Sequence, residues 1–303
     1  MTPPASTPDQ RLTATFDQTG LLMRTFDAPA PIHATVHFGY VSAHVRVTAT
    51  DRADATVDIR PGDPASKADQ RIVDQTQIGY ADGRLTVRGP RIGSMFSRDG
   101  AVEVTVELPA GSRLDAETGV GDLYTEGELG ECRFKTGYGA LRIDRTGPVV
   151  IRSGSGDVEV DHIGGDAEIK AGNGGINVRR VDGAATVKAS NGSVWIGEAG
   201  GTLKATSSNG TVTVDRSDAD LTARTANGSL RIGQLGQGTV GLDTAAGSIE
   251  FGVPEGTAVW LDLNTRAGRV RNELTSTPGP EQADRTVQVR ARTSIGDIVV
   301  RRA

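Results

Sequence analysis

Apolar and polar residues alternate with a period of two along most of this chain, which predicts short β-strands with one buried face. From residue 114 onwards, turn residues interrupt this alternation at nearly equal intervals. The most regular of them are Asn-Gly pairs that recur every 18 residues, formed by Asn173, Gly174, Asn191, Gly192, Asn209, Gly210, Asn227 and Gly228. Self-similarity at a fixed period indicates a repeat architecture.

Apolar residues stand at constant distances from the glycine of each repeat. The ten equivalent glycines are Gly121, Gly139, Gly156, Gly174, Gly192, Gly210, Gly228, Gly247, Gly268 and Gly296. An apolar residue stands two places after each of them and, except at Thr125 and Asn272, four places after. A second apolar pair stands seven and five places before the glycine. Each repeat is therefore predicted to contain two strands, one on each side of the glycine.

Two architectures fit this pattern. In a β-solenoid each repeat is one coil of a stack, whereas in an antiparallel meander each Asn-Gly is a hairpin. The equal repeat lengths favour the solenoid, because stacked coils must match in length. We predict an all-β fold, a single-chain β-solenoid (β-helix-like) of about ten two-strand coils of 18 residues, roughly 45–50 Å tall. Asn and Gly are expected to supply left-handed backbone at the corners.

The repeats divide the chain into three parts. Residues 1–10 are predicted to be a flexible tail, and residues 11–113 an N-terminal β cap with one or two irregular coils. Residues 114–303 are predicted to form the regular solenoid, with an insertion at 272–286 that contains Pro278-Gly279-Pro280.

Three local signals place elements in the cap. Ser66 is predicted to be the N-cap of one short helix within residues 64–75. Asp82-Gly83 predicts a type I′ hairpin, because both central residues of that turn need positive φ. An irregular coil about Ala43 is predicted from the spacing of Val36, Phe38, Val45 and Val47.

Composition narrows the class of protein. Gly accounts for 40 of 303 residues and aromatic residues for 4%, which is typical of thin, turn-rich β structure. A net charge of −5 excludes a chain that is basic overall, but not a local basic face. Cys132 is the single cysteine, so no intramolecular disulfide forms, and a buried apolar role is expected for it. The four histidines do not stand at the sequence spacings typical of metal ligands; they are His33, His37, His44 and His162.

The expected location follows from what the sequence lacks. The N-terminal residues contain no basic segment followed by an apolar run, so no signal peptide is recognised. No apolar stretch approaches the roughly 18 residues that a membrane-spanning helix needs. We therefore expect a cytoplasmic protein without membrane insertion.

The repeated Gly-x-Gly-x-aliphatic pattern resembles a known family. It is seen in Gly119-Val120-Gly121-Asp122-Leu123 and Gly154-Ser155-Gly156-Asp157-Val158, together with the strand-Pro-x-Gly-Ser joint Leu108-Pro109-Ala110-Gly111-Ser112. The chain is similar, over about residues 24–302, to the bacterial "putative adhesin" β-strand-repeat family, domain of unknown function 4097, also called toastrack. The resemblance implies an all-β repeat fold without known catalytic residues. The adhesin name would imply export, and the missing signal peptide departs from that.

Two Gly-rich segments bear on a calcium site. Gly154-Ser155-Gly156-Asp157 and Gly164-Gly165-Asp166 partly match the calcium-binding β-roll motif, which must recur about every nine residues. The aspartate position becomes Gly175, Ser193 and Thr211 in the next three repeats. Ordinary turn residues are therefore expected, and neither a metal nor another cofactor is predicted.

Carbohydrate-active enzymes occur among β-helices, but a shared fold does not carry function. Glycoside hydrolysis needs two carboxylates at a defined separation. The candidates are Asp144, Asp161 and Asp215, five places after the glycine. Basic residues accompany them at Arg145, His162, Arg179, Arg180 and Arg216, so solvated ion pairs are the simpler interpretation. We expect no enzymatic activity.

Two outward features are candidates for a binding surface. Four places before the glycine, a basic ladder is formed by Lys135, Arg152, Lys170, Lys188 and Arg224, interrupted by Thr206. It is either a solubilising face or a surface for a polyanion or an acidic partner. Trp195, three places after the glycine, points outward and is a second candidate, unless its ring lies flat on its own coil.

The function expected from these features is a non-catalytic scaffold or adhesin-like interaction protein that self-associates or binds a protein partner. The alternatives are a polyanion- or carbohydrate-binding module that uses the basic ladder and, less favoured, a carbohydrate-active enzyme. Nucleic acid is not an expected partner, because no aromatic residues interleave the ladder.

Overall fold

The computed structural model describes residues 13–17, 21–91, 100–274 and 285–303. The predicted tail 1–10 and most of the predicted insertion, including Pro278-Gly279-Pro280, lie outside these residues. The elements of the first part of the chain are β1 (Thr13–Asp17), β2 (Leu21–Asp27), β3 (His33–Thr50), β4 (Asp54–Pro61), α1 (Lys67–Gln75), β5 (Gln77–Ala81), β6 (Arg84–Arg88), β7 (Ala101–Pro109), β8 (Arg113–Val120) and β9 (Leu123–Leu129).

The remaining elements are short strands that follow one another in pairs. They are β10 (Cys132–Tyr138), β11 (Leu141–Thr146), β12 (Val149–Ser155), β13 (Val158–Ile163), β14 (Ala167–Asn173), β15 (Ile176–Val181), β16 (Ala185–Asn191), β17 (Val194–Ala199), β18 (Leu203–Asn209), β19 (Val212–Ser217), β20 (Leu221–Asn227), β21 (Leu230–Leu235), β22 (Gly238–Ala246), β23 (Ile249–Val253), β24 (Thr257–Ala267), β25 (Val270–Asn272), β26 (Arg285–Ile295) and β27 (Ile298–Arg302).

These strands form two parallel stacks, which confirms the β-solenoid. From β8 onwards, each even-numbered strand pairs with the next even-numbered strand up to β22, and we call this stack sheet 1. The odd-numbered strands from β9 to β23 pair in the same way as sheet 2. Equivalent residues of successive coils therefore lie directly above one another.

The interior is filled by columns of such equivalent residues. The column seven places before the glycine is continuous from one end of the described stack to the other. Its members, in spatial order, are Leu85, Ala34, Leu114, Cys132, Val149, Ala167, Ala185, Leu203, Leu221, Val240, Val289 and Leu261. These twelve positions correspond to the ten predicted coils and two irregular ones, formed by β3 and by β6 with β7.

The corner glycines are required both by conformation and by close packing. Gly174 has φ 130°, which L side chains rarely adopt, and a Cβ added there would lie 2.3 Å from the carbonyl oxygen of Gly156. The expectation of left-handed backbone at the preceding asparagines is wrong. Within the described residues only Asp82 is a non-glycine residue with positive φ.

The corner asparagines contribute through their side chains instead. The amide of Asn191 donates to Oδ1 of Asn173 over 3.0 Å, and Asn209 and Asn227 continue the ladder over 2.8 and 2.9 Å. Stacked coils bring identical amides within hydrogen-bonding distance, so a repeated Asn pairs with its own equivalents. Hydroxyl groups three places before the glycine donate to turn carbonyls, as Ser207 does to Gly192 over 3.0 Å.

The coil order at both ends of the stack departs from chain order. β26 and β27 insert between β22/β23 and β24/β25, so the last coil in the sequence is not the last in space. β3 likewise lies between β6/β7 and β8/β9. The apolar column four places after the glycine explains why β26 and β27, and not β24 and β25, pair with β22 and β23. Asn272 would place an amide in the interior, whereas Val300 is fully buried there.

A third interior column escaped the sequence analysis. It lies seven places after the glycine in six coils, at Thr146, Ile163, Val181, Ala199, Ser217 and Leu235, and eight places after it at Leu129, where the pairing of β9 with β11 shifts register. β13 and β15 keep the same offset throughout, and the ladder skips only Asp161 and Arg179. Asp161 and His162 are consecutive outward side chains between the buried Val160 and Ile163, so the period of two that predicts strands breaks here.

The first described end of the stack is covered by antiparallel strands and the helix. β5 pairs with β6 through the predicted Asp82-Gly83 hairpin, while β4 pairs with β7 and β2 with β4. Ser66 caps α1 as predicted, and Ile72 and Val73 are buried beneath the helix. No helix among the described residues is long and apolar enough to cross a membrane.

Candidate functional site

The residues of the predicted basic ladder lie in one column on the outer side of sheet 1. Register pairs join Lys135 to Arg152, Arg152 to Lys170, and Lys170 to Lys188. Thr206 and Arg224 continue the same column. Neighbouring strands lie about 4.8 Å apart, so the first four cations span roughly 14 Å.

A neighbouring outward column adds two cations that the sequence analysis missed, Arg133 and Lys204. They alternate with buried residues on the same strands as the ladder, and that parity was the available signal. We define the basic face as the outer side of β10, β12, β14, β16, β18 and β20. Its charged members are the cations Arg133, Lys135, Arg152, Lys170, Lys188, Lys204 and Arg224 and one acid, Glu168.

Neutralisation of the basic face is incomplete. Lys135 is paired with Glu117 over 2.8 Å and Arg224 with Asp243 over 3.2 Å, both at the margins. Lys170 pairs with Glu168, and Arg133 with Glu131. Among the described residues, no acid lies within ion-pair distance of the remaining three cations, which are Arg152, Lys188 and Lys204.

The one acid of the basic face, Glu168, lies in a positive electrostatic field. A hydrogen bond from Lys170 lowers the pKa of Glu168, and the charges of Arg152 and Lys188 lower it further. Glu168 is therefore ionised at neutral pH, and seven cations face one carboxylate on a chain whose net charge is −5.

The outer side of sheet 2 has a different charge arrangement. Arg142 pairs with Glu159 over 3.1 Å, and Arg180 contacts both Glu198 and Asp182, over 3.0 and 2.7 Å. These are cross-coil and same-coil pairs between exposed groups, so the charges of this face largely cancel.

Each candidate catalytic carboxylate has a partner of its own. Arg179 donates two hydrogen bonds to Asp161, and this pairing lowers the pKa of Asp161. Asp144 accepts from the backbone N–H of Gly127 over 2.9 Å, and Asp215 accepts from Trp195 over 3.3 Å. A general acid needs a raised pKa, and Asp161 has the opposite shift.

Trp195 lies on sheet 2, so the candidate binding residues occupy two different faces. Its side chain is half-buried and points outward as predicted, and Nε1 donates to Oδ1 of Asp215 two residues beyond one coil. The ring extends over Gly197, where an added Cβ would lie 3.2 Å from the indole. The ring of Trp195 therefore lies along the outer surface of sheet 2, between two shallow clefts.

The histidines and the cysteine hold structural positions. Three histidines of β3 face acids of the next coil, with His33 2.8 Å from Asp115 and His37 3.3 Å from Glu117. Burial raises the pKa of the Cys132 thiol to about 11, so it is protonated at neutral pH. No group of three or more His, Cys, Asp or Glu within the described residues is arranged to hold a metal ion.

Comparisons with known proteins identify the fold. A family model described as Toastrack DUF4097 matches residues 37–301. No curated protein matches the chain.

The chain also matches several solved structures at low sequence identity. A "putative adhesin" from Parabacteroides distasonis is 14% identical with a TM-score of 0.38, over 92% of this chain and 96% of that one. A "putative lipid binding protein" from the same species is 13% identical with a TM-score of 0.33, over 94% and 98%. A "putative cell adhesion protein" from Clostridium sporogenes is 11% identical with a TM-score of 0.23, over 93% and 100%.

Proposed function

This chain belongs to the Toastrack DUF4097 family, and we propose that it is a non-catalytic interaction scaffold whose basic face binds an acidic partner protein. The observation that carries the proposal is the charge of that face: seven cations and one acid on six adjacent strands of a chain with net charge −5. The acids that pair with its marginal cations, Glu117 in β8 and Asp243 in β22, lie outside these six strands.

The solenoid presents these charges rigidly. Strands on both sides hydrogen-bond every strand of the basic face, from β10 to β20, in unbroken register. Beneath them the interior side chains are fully or almost fully buried. A preorganised surface loses little conformational freedom on binding, which favours affinity.

The carboxylates of sheet 2 and the single thiol are the groups that a catalytic reaction would use, and their surroundings support a non-catalytic role. The carboxylate column of sheet 2 is engaged in separate pairs, and the pKa of Asp161 is lowered rather than raised. The single thiol is buried and protonated, which suits neither nucleophilic attack nor metal binding. A lone buried thiol also suits the reducing cytoplasm that we propose as the location.

Binding to immobilised polyglutamate, as an acidic probe, tests the proposal. The double variant Lys170→Glu with Lys188→Glu should weaken binding at least about tenfold, which is about 1.4 kcal/mol. Binding of the unaltered protein should fall as salt rises, because exposed charges are screened.

The matched control reverses two arginines of sheet 2, Arg142→Glu with Arg231→Glu. Each double variant changes the net charge by −4, from −5 to −9. Equal weakening by both pairs would mean that overall charge, and not the basic face, determines binding. Absence of binding by the unaltered protein would reject the proposal directly.

A second candidate, an extended polyanion, is favoured by the straightness of the ladder. Four consecutive coils place one cation each in a single column. An extended chain following that column predicts that affinity for oligoglutamates rises with their length and then levels off once the ladder is occupied. Affinity that is independent of length beyond one or two residues would reject this candidate.

A further inference from the structure

The second described end of the stack exposes interior positions. β24 and β25 form its outermost coil, since β26 and β27 pair with them from the inner side only. The inward residues Val259, Leu261 and Leu263 of β24 are only partly buried, and Val270 of β25 is 45% exposed. One coil further in, the equivalent Val289 and Ala291 are fully buried.

Backbone groups are exposed at this end as well. β24 and β26 are each 11 residues long, longer than the strands of sheet 1, and no described strand pairs with the outer edge of β24. A long unpaired edge with apolar residues is a template for another strand. Trp260, on the outer side of the same strand, is 58% exposed.

The linking residues 275–284 are poorly suited to cover this surface. Their sequence, TSTPGPEQAD, contains no Val, Ile, Leu, Met or aromatic residue. It offers no large apolar side chain to fill the positions next to Val259, Leu261 and Leu263. This segment therefore supplies no apolar partner for β24.

We propose that the β24 end binds a second copy of this chain, by antiparallel pairing of β24 with β24. The inward row Val259, Leu261, Leu263 is nearly palindromic about Leu261. Antiparallel pairing centred there sets Leu261 against its own equivalent and Val259 against Leu263, so aliphatic residues meet aliphatic residues. On the outer side Trp260 faces Asp262, so no like charges meet.

The assembly is a closed dimer and not a filament. A head-to-tail filament would need an exposed apolar row at the opposite end, but there the interior residues Leu85 and Val87 are fully buried beneath the cap. An interface that uses the same patch on both partners is isologous and closes after two subunits. The difference between the two ends therefore sets the size of the assembly.

Sedimentation analysis of the full chain over a range of concentrations tests the dimer. The expected result is a reversible change from the mass of one chain to the mass of two, with nothing larger. A single-chain mass at all concentrations would overturn the proposal, and a series of larger species would overturn the closed arrangement.

Variants locate the interface. Leu261→Glu should return the protein to a monomer, because two carboxylates would meet at the centre of the pairing. Val120→Glu is the control, since it places the same charge on an exposed aliphatic residue of β8, far from β24. A dimer that survives Leu261→Glu would exclude this end as the interface.

Cross-linking decides the case if Leu261→Glu fails to fold. Leu261→Cys should form a disulfide-linked dimer on oxidation, because opposed residues of an antiparallel pair lie close enough for a disulfide. Leu263→Cys should not, since its equivalent would be about 13 Å away. Cys132 is buried and is not expected to interfere.

If neither Leu261→Cys nor Leu263→Cys forms a cross-link, the antiparallel pairing of β24 with β24 is rejected. The monomeric Leu261→Glu variant should still bind polyglutamate, so failure of the dimer and failure of the basic face are distinguishable.

Discussion

Leu85 and Leu261 occupy the same interior column at opposite ends of the described stack. Leu85, in β6, is fully buried because β5 covers its strand and the cap strands close the end. Leu261, in β24, is only partly buried because the next position in the column is empty of described protein. The side chain and the coil position are the same, so the difference arises entirely from what lies beyond each coil.

The comparison shows that a solenoid repeat does not specify its own ends. Each coil supplies half of the contacts that its neighbour needs, so the outermost coil always lacks one side. One end is closed by β4, β5 and α1, held by the buried carboxylate of Asp69. The other end keeps an edge strand, which creates the opportunity for a second copy.

The largest expected effect is the contrast between Leu85→Ala and Leu261→Ala. Leu85→Ala should lower the free energy of unfolding by about 3–4 kcal/mol, since a fully buried leucine leaves a cavity. Leu261→Ala should cost only about 1 kcal/mol in the monomer, because less apolar surface leaves water on folding. Urea denaturation at dilute concentration measures both. Equal losses would show that the two ends are equally closed.

The cap at the closed end should depend on Asp69. Its carboxylate accepts from the backbone N–H of Asp63 over 2.8 Å, from the hydroxyl of Ser66 over 2.9 Å and from the N–H of Ala101 over 3.2 Å. Burial by itself would raise the pKa of Asp69, but these hydrogen bonds outweigh it and the pKa is lowered.

A lowered pKa in the folded state stabilises the cap above the ordinary value of 3.8, and this contribution disappears as pH falls through the lower folded value. Asp69→Asn should therefore cost about 1–3 kcal/mol at neutral pH and remove this part of the acid dependence. Unfolding curves from pH 7 down to the acid range test this. Asp74→Asn, on the exposed side of α1, is the control and should change the free energy of unfolding at neutral pH by less than about 0.5 kcal/mol.

The smallest expected effect is at Asn272, the polar member of an otherwise apolar column. Asn272→Val should change the monomer's free energy of unfolding by less than about 0.5 kcal/mol, because the residue is exposed at the open end. The reverse exchange, Val106→Asn, in the same column of the closed end, would bury an amide and should be severely destabilising. A large loss for Asn272→Val would indicate that this end is covered in the monomer.

Much of the fold was predictable from particular residues. The glycines at fixed spacing predicted the corners, the apolar columns predicted the two strands of each coil, and Ser66 and Asp82-Gly83 predicted the helix and the hairpin. The third interior column was missed because two consecutive outward side chains, as at Asp161 and His162, break the period of two. The ladder was predicted from the sequence. Only the tertiary structure shows that it shares a face with Arg133 and Lys204 and that Trp195 lies on the other sheet.

The sequence by itself determined the repeat, the buried columns and the corners, because these depend on the period of apolar residues and on the steric needs of glycine within a few residues. Only the tertiary structure decided the coil order at each end, which charges share a face, and which end stays open. All coils carry nearly the same apolar pattern, so each fits against many others. Pairings between distant residues, such as Ala34 with Leu85 and Val240 with Val289, select one order among these alternatives.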